Sequence, residues 1–545
     1  MLTRITRLTC VLLVLLATLP SAVRPQSKAG TSAPHYARVH HSISSRNATV
    51  QTSFDRGLAL LYAFSRTAAR RAFSTAAAAD PHFALAYWGI AMSYGSNINF
   101  PQDTASEHAA FSAIRKALAL RAAGSPAESD YIDAAATRFS GAAKPDYAAL
   151  DVAYHNAMRK LAHKYPLDAD AATLYAESGM DLRPWDLYAP DGTPRPGTAE
   201  ICATLESVLH RVPGHIGANH FYIHATEASL HPERALQSAG RLASMNFEPA
   251  AAHLTHMPAH TFARTGFFRP ASGSNILATE HDRAYLRSEG RRDAEIPAYH
   301  ISEGAAYYIH DLMFLAYTDA MGGNLAGARR ATARLGAEGL RVPAIFALLR
   351  FERWADILGL PPPKADPIEP MRLAIWHFAR GMAFAGTGNL RASSRERNEM
   401  HVAADSLHLA AMAGSNNSSD ALLRLADRVL AAKTADARHN LTLAISLLHG
   451  AVRAQDEFIY IEPPDWYYPV RESLGGALLR AGHPAEAAQV FRDDLARNPG
   501  NPRSLFGLAK SLASRGDVEG AKRVQHQFED AWRDADVQLT PQSLL

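Results

Sequence analysis

Cysteine is nearly absent: 545 residues include two, Cys10 and Cys202. Cys10 lies within an amino-terminal apolar stretch, with no hydrophobic segment before it, which makes it a poor site for a lipid. Removal of that stretch leaves Cys202 alone, and a chain with one thiol closes no internal disulfide. Any metal site must then rest on histidine and carboxylate. Runs of lysine or arginine are missing as well. The 56 basic and 53 acidic side chains are interspersed and sum to +3 with histidine neutral. That distribution gives no footprint for nucleic acid. β-Branched residues are sparse and no long stretch alternates polar with apolar, which argues against sheets. No apolar run reaches the roughly 20 residues that cross a bilayer, so no transmembrane anchor is expected. A nucleophile elbow, a phosphate-binding glycine loop and the His-Glu-x-x-His pattern are also lacking.

What is present favours helices. Alanine and leucine dominate, and a hydrophobic fraction of 47% rules out general disorder. The chain exceeds the roughly 250–300 residues at which single cores stop growing, so it is several domains or a repeat array. Its first residues read as a secretory signal. Arg4 and Arg7 form a positive start, Leu8 to Leu19 an apolar core, and Ser21-Ala22-Val23 a cleavage region. A mature protein in the periplasm or outside the cell is expected.

The carboxy-terminal part carries a repeat. Gly482 and Gly516, Ala487 and Ala521, Leu478 and Leu512, and Gly475 and Ala509 are each 34 residues apart. That is the tetratricopeptide period, in which each unit is a helix pair that buries its apolar face on its neighbours. Phe491 and Pro499 occupy the aromatic and helix-stop positions. Degenerate units are legible elsewhere. Phe73, Ala76 and Pro81 close one, with Tyr87-Trp88-Gly89 opening the next. Gly323-Asn324-Leu325 before Ala328 and Gly388-Asn389-Leu390 before Ala392 read as turns between helices. Pro194 to Pro196, Pro361 to Pro363 and Pro463-Pro464 read as loops, and Ser415 to Ser419 as a loop tip. The predicted fold is all-α: a tetratricopeptide-repeat solenoid of stacked antiparallel helix pairs, about eight to ten at this length.

The 25 histidines are many for this length, and they crowd between His210 and His310. In His220-Phe-Tyr-Ile-His224-Ala-Thr-Glu227, the spacing puts three polar side chains on one helix face. In His253-Leu-Thr-His256-Met-Pro-Ala-His260-Thr-Phe-Ala-Arg264, spacings of three, seven and eleven do the same. With Pro249 closing one unit, the next starts near Ala252, turns at Gly266 and has its small position at Ala271. His253, His256, His260 and Arg264 then face the concave groove of the solenoid. Counting back from Ala235 puts His220, His224 and Glu227 there too, and counting back from Gly323 adds His310.

Imidazole is the commonest metal ligand, and Glu227 can ligate or orient a histidine. Zn, Cu and Fe are the ions that suit the set. Pro258 should kink or restart its helix. Arg264 suits an anion such as a chain-terminal carboxylate.

Other segments have plainer readings. Gly95 to Pro101 resembles a helix stop whose amides satisfy local backbone, with Asn97 or Asn99 reaching the groove as the sharper alternative. The rings of Trp466, Tyr467 and Tyr468 read as a cap on the last repeats, the alternative being a ligand-facing surface. Trp185-Asp186 and Asp191-Gly192 fall in a long loop that could cover the cluster. His210, His215, His231 and His281 fit neither pattern and read as surface or loop residues.

Several segments recur together elsewhere: Phe54-Asp-Arg-Gly-Leu, Trp88-Gly with Asn97-Ile-Asn99, Tyr222-Ile-His224-Ala-Thr-Glu227-Ala-Ser, His256-Met-Pro-Ala-His260 and Asp465-Trp-Tyr-Tyr-Pro-Val. The combination resembles a widespread family of bacterial tetratricopeptide-repeat proteins, many with export signals, and covers nearly all of the mature chain. The resemblance implies a helical solenoid and carries no settled activity. One departure is visible, because the family often reads Phe-Asn-His where this chain has Phe64-Ser65-Arg66.

The segments thus read as a signal peptide over 1–23, a flexible lead-in over 24–48 and repeats over 49–185. A histidine-rich group follows over 186–345, then degenerate repeats over 346–460 and clear repeats over 461–545. The leading expectation is a transition-metal site with His220, His224, His256 and His260 as core ligands. Glu227, His253 and His310 are further candidates, with Arg264, Asn97 and Asn99 as groove contacts. The competing expectation is a metal-free scaffold that holds a peptide or protein in the groove.

Overall fold

The computed structural model describes residues 39–290, 303–337, 342–363, 369–405 and 417–544. The expected signal segment over 1–23 and the first part of the expected lead-in lie outside them. Among the described residues regular structure is helical, apart from isolated bridges at Asn97–Phe100 and Tyr188–Pro194. None of these helices is long and apolar enough to cross a membrane.

Helices follow one another as pairs joined by short turns, which sets partners antiparallel. Ala48–Tyr62 pairs with Arg66–Ala79 at the start, and Pro502–Ser514 with Val518–Ala531 at the end. The turns show why the repeat needs glycine. Gly266, Gly323, Gly388, Gly482 and Gly516 all have φ between 78° and 84°. A first helix ends in that left-handed conformation at little cost only with glycine. After Gly323 and Gly388 the next residue is asparagine, whose side chain caps the second helix. Asn324 Oδ1 accepts from Gly327 N at 2.9 Å, and Asn389 Oδ1 from Ala392 N at 3.1 Å.

A second device holds consecutive units together. The Phe491 ring fills the space between Gly475 and Gly507, where a Cβ would lie 2.4 Å and 2.2 Å from it. Phe73 does the same between Gly57 and Gly89, at 2.7 Å and 2.3 Å. In both cases the ring is 16 residues after one glycine and 16 before the other. Two parts of the chain with little shared sequence keep one register.

Two large apolar cores result. One gathers Val50 to Met257 with Tyr307, the other Ile345 to Leu544. Trp466, Tyr467 and Tyr468 are buried in the second, where Trp466 and Tyr467 lie 5.1 Å and 5.4 Å from the Phe346 ring. They pack the last repeats and also border the cavity described below. Small apolar groups around Phe314 lie between the two cores in sequence. Of the expected loop tip at Ser415 to Ser419, positions 415 and 416 fall outside the described residues. Asn417 is not an exposed tip: it is buried, exchanges hydrogen bonds with the main chain of Ile459 and donates to Asp465. It therefore anchors the loop before Val470.

Candidate metal centre

Three helical stretches bring the histidines together. The Ile216–Glu227 helix carries His220, His224 and Glu227, and Glu303–Met321 carries His310. The helix opening the next repeat is split in two, Ala252–His256 and Pro258–Arg264. Met257 between them keeps helical angles (φ −50°, ψ −36°), so Pro258 restarts the helix without turning His253 and His256 into a loop.

The expected open groove is not there. His220, His253, His256 and His260 are 0–3% exposed, His224 and Glu227 4% and 2%. The chain itself fills the concavity. Phe64 packs edge-on against His220 at 4.6 Å, Trp185 edge-on against His224 at 5.5 Å, and Tyr307 against His253 at 4.5 Å. From the carboxy-terminal core, the loop before Val470 contributes Tyr460, which donates to Glu227 Oε2 at 3.2 Å, and Glu462. An extended peptide could not reach these imidazoles without displacing that packing.

Histidine and carboxylate atoms group in two sets joined by a third. His256, His260, His310 and Glu462 form a quartet and His220, His224 and His253 a triad, with Glu227 between His224 and His260. The four core candidates thus divide between two adjacent sets, two to each. Hydrogen bonds assign the ring nitrogens. His220 Nδ1 donates to Tyr62 O at 2.6 Å. His224 Nδ1 donates to Glu227 Oε1 at 2.7 Å and His260 Nδ1 to Glu227 Oε2 at 2.5 Å. His256 Nδ1 faces Asn275 Oδ1 at 2.6 Å and Asp311 Oδ1 at 3.1 Å.

With the Nδ1 protons so committed, the Nε2 atoms of His220, His224, His256 and His260 carry lone pairs, and in the quartet two of these meet beside the His310 ring. His256 Nε2 is 2.7 Å from His260 Nε2 and 3.2 Å from His310 Nε2. His310 Nε2 is 3.5 Å from Glu462 Oε2. Two nitrogens bound to one ion at about 2.05 Å with tetrahedral angles are about 3.3 Å apart, so a small opening of the quartet accepts one.

Burial governs the charges. It pushes the His220, His253 and His256 imidazoles well below their usual range, and His310 down to about 3, with neighbouring imidazoles adding to the effect. Burial alone would raise Glu227, but the imidazoles of His260 and His224 outweigh it and hold the carboxyl at about 2. Glu462 is pushed well above its usual range by burial and then by the Glu227 charge. Behind His256, Asp311 is raised by burial and by Asp282, itself pushed up to about 8. Histidine nitrogens and carboxylate oxygens gathered this closely could hold a metal ion.

The groove contacts turn out differently. Arg264 is engaged with the backbone. Its guanidinium donates to three main-chain carbonyls, Glu227 O at 2.9 Å, Arg497 O at 3.1 Å and Ser229 O at 3.4 Å. Asn97 Oδ1 accepts from the backbone of Asn99 and Phe100, both at 2.9 Å, which is the helix-stop role. Asn99 Nδ2 lies 3.4 Å from the Tyr307 hydroxyl, one residue removed from His253. His215 departs from its expected surface role. It caps the helix of His220 and bonds Asp170 at 3.2 Å.

Asp170 also accepts from Tyr62 at 2.5 Å and from His41 at 2.8 Å. That knot, near Asp168, fixes the Tyr62 carbonyl that orients His220. Its polar atoms satisfy one another, and we read it as structural. Arg66, at the position where the resembling family has histidine, reaches Gly95 O and the Phe100 ring.

Sequence reasoning missed Glu462, Asn275, Asp311 and Tyr460. Only Asp311, next to His310, carried a local signal. Phe314, Tyr460, Glu462 and Arg264 also line a cavity of about 200 Å³, so the quartet has an open side.

The site and scaffold together define an all-helical, tetratricopeptide-type solenoid with buried histidine–glutamate clusters. No protein-family profile matches the chain, and no curated protein matches it. Among solved structures, a human IFIT1 dimer with PPP-AAAA aligns at 11% identity and a TM-score of 0.28, over 87% of each chain. A human IFIT1 dimer with m7Gppp-AAAA aligns at 10% and 0.30, over 90% of this chain and 92% of the other. Likeness at that level carries no functional inference.

Proposed function

We propose that the protein is an exported solenoid that binds a transition-metal ion, held by His256, His260, His310 and Glu462. One observation carries the reading: the Nε2 atoms of His256, His260 and His310 face one another at 2.7–3.2 Å while the Nδ1 protons of His256 and His260 are committed elsewhere. Lone pairs at that distance repel unless a cation lies between them. A metal ion held between these nitrogens would relieve that repulsion and take up the lone pairs as ligands. Imidazole with carboxylate suits Zn, Cu or Fe and not a hard ion such as Mg²⁺ or Ca²⁺.

Outer partners support the same reading. Glu227 and Asn275 accept from ring Nδ1–H groups, as such partners do around metal-bound imidazoles. The cavity beside Glu462 leaves room for water or a small ligand at an open coordination position, which a catalytic ion requires. Export rests on the basic and apolar amino-terminal pattern.

The test is elemental analysis of untagged protein beside a His256→Ala/His310→Ala variant of intact helicity. Near-stoichiometric Zn, Cu or Fe that disappears in the variant is expected. A parent that is empty and takes up no added Zn²⁺, Cu²⁺ or Fe²⁺ would refute the reading.

A further inference from the structure

The quartet accounts for half of the six clustered imidazoles. His220, His224 and His253 form a second set that shares no residue with it. Each triad ring raises a problem that hydrogen bonding within the protein does not solve. His220 spends its proton on Tyr62 O, so its Nε2 carries a lone pair, and that atom lies 3.1 Å from His253 Nε2. His224 spends its proton on Glu227, and its Nε2 is buried without a hydrogen-bond partner. His253 Nδ1 is buried without a partner as well. A proton on His253 Nε2 would satisfy His220 but leave Nδ1 and His224 Nε2 bare. A proton on His253 Nδ1 leaves three Nε2 lone pairs in one place. Burial penalises each unmatched polar atom, and such atoms persist where something else meets them.

The walls around the triad are built at a conformational cost. Phe64 lies against all three rings, with centroids 4.6 Å from His220, 5.6 Å from His253 and 6.1 Å from His224, and Trp185 closes His224 from another side. Both Phe64 (φ 55°) and Trp185 (φ 61°) have left-handed backbone, which bulky side chains rarely adopt. Two of the four such non-glycine residues among those described therefore wall this one cluster. Strained backbone concentrates where a site must be shaped.

We infer that the protein holds a second transition-metal ion, bound by the Nε2 atoms of His220, His224 and His253. The inference rests on the proposed metal function and deepens it. The second ion is enclosed by Phe64, Trp185 and Tyr307, whereas the quartet borders a cavity. The two ions differ in access: a closed position and an open one, the usual division between a structural and a reactive site. Glu227 ties them together, since one carboxylate oxygen orients His224 in the triad and the other His260 in the quartet. Three imidazoles in an apolar enclosure select a late first-row ion such as Zn²⁺ or Cu⁺.

Full-length protein stripped with chelator, then titrated with Co²⁺ and separately loaded with Zn²⁺, tests this. The expected result is visible Co²⁺ absorption that saturates at two equivalents, and two Zn²⁺ per chain by mass spectrometry. His253→Gln and His220→Gln, each checked for parental helicity, are expected to retain one Zn²⁺. His310→Gln is expected to spare the triad ion. Saturation at one equivalent in the parent overturns the second ion and leaves the proposed function standing, as does full parental loading in both triad variants. No binding at all removes the proposed function itself. The parental titration decides the matter even where the variants fold poorly.

Discussion

Glu227 is the point at which one substitution should be felt in two places. Each carboxylate oxygen accepts one Nδ1 proton, from His224 at 2.7 Å and from His260 at 2.5 Å, and Tyr460 adds a third donor. Glu227→Gln keeps the shape but has one accepting oxygen. Its amide nitrogen must then face a ring nitrogen that was donating. That ring moves its proton to Nε2 and ceases to be a ligand, or holds the tautomer with an unmet donor. Loss of one such orienting partner costs about 10–100-fold in metal affinity, or about 1.4–2.7 kcal/mol. Glu227→Ala removes both acceptors, so if the two act independently each ion loses about 10–100-fold and the product of the two binding constants about 10²–10⁴-fold. Competition for Zn²⁺ against a chromophoric chelator at neutral pH reads these ratios directly. Glu227→Gln at parental affinity would refute the orienting role. Equal losses in the two variants would refute independence of the two oxygens.

Two other predictions concern the scaffold. Gly507→Ala puts a Cβ 2.2 Å from the Phe491 ring and should destabilise the last repeats by about 1–3 kcal/mol, read as a lower calorimetric midpoint. Gly516→Ala meets open space at φ 78° and should cost only about 1–2 kcal/mol of backbone strain; a larger loss than at Gly507 would contradict the wedge. Asp170 sets a pH dependence. Burial opposes its charge, but hydrogen bonds from His215 and His41 outweigh burial and hold the carboxyl far below the usual range. Burial would lower His41, and the bond and charge of Asp170 raise it instead. Asp170 therefore stabilises the fold above a pH of about 4, and charged His41 below about 6.5, each contribution fading beyond the folded value. The stability gap between parent and Asp170→Asn, from denaturant titrations, should be widest between about pH 4 and 6.5 and shrink above. A gap that keeps growing above pH 7 would contradict this account.

The repeat was legible because it rests on local demands. A left-handed turn needs glycine at Gly482 and Gly516, a stacked ring needs Gly475, and each leaves a mark at fixed spacing. Helix faces were legible for the same reason, so His220, His224 and Glu227 were placed on one face and His253, His256 and His260 on another, although in space His253 joins His220 and His224 and Glu227 bridges to His260. Closure of the groove was not, because it depends on segments remote in sequence: Phe64, Trp185, and the loop of Tyr460 and Glu462. Glu462 precedes two prolines and has no histidine near it, so nothing local marks it as a partner for His310. For Arg264 a guanidinium next to a cluster suggests an anion, but its backbone partners, at the end of the Glu227 helix and at Arg497 far along the chain, left no local mark.

The origin of Glu462 has a consequence for the order of assembly. His256, His260 and His310 are synthesised well before Glu462, and Glu462 and Tyr460 arrive on a loop anchored by Asn417 in the second core. Until that core has formed, Glu227 lacks its Tyr460 donor and the histidines lack their cover. An ion captured by the growing or translocating chain would face water on one side and remain exchangeable. On the proposed metal function, completion of the carboxy-terminal repeats would act as a latch, so retention of metal would report that the whole solenoid has folded and not merely that its histidines have been made.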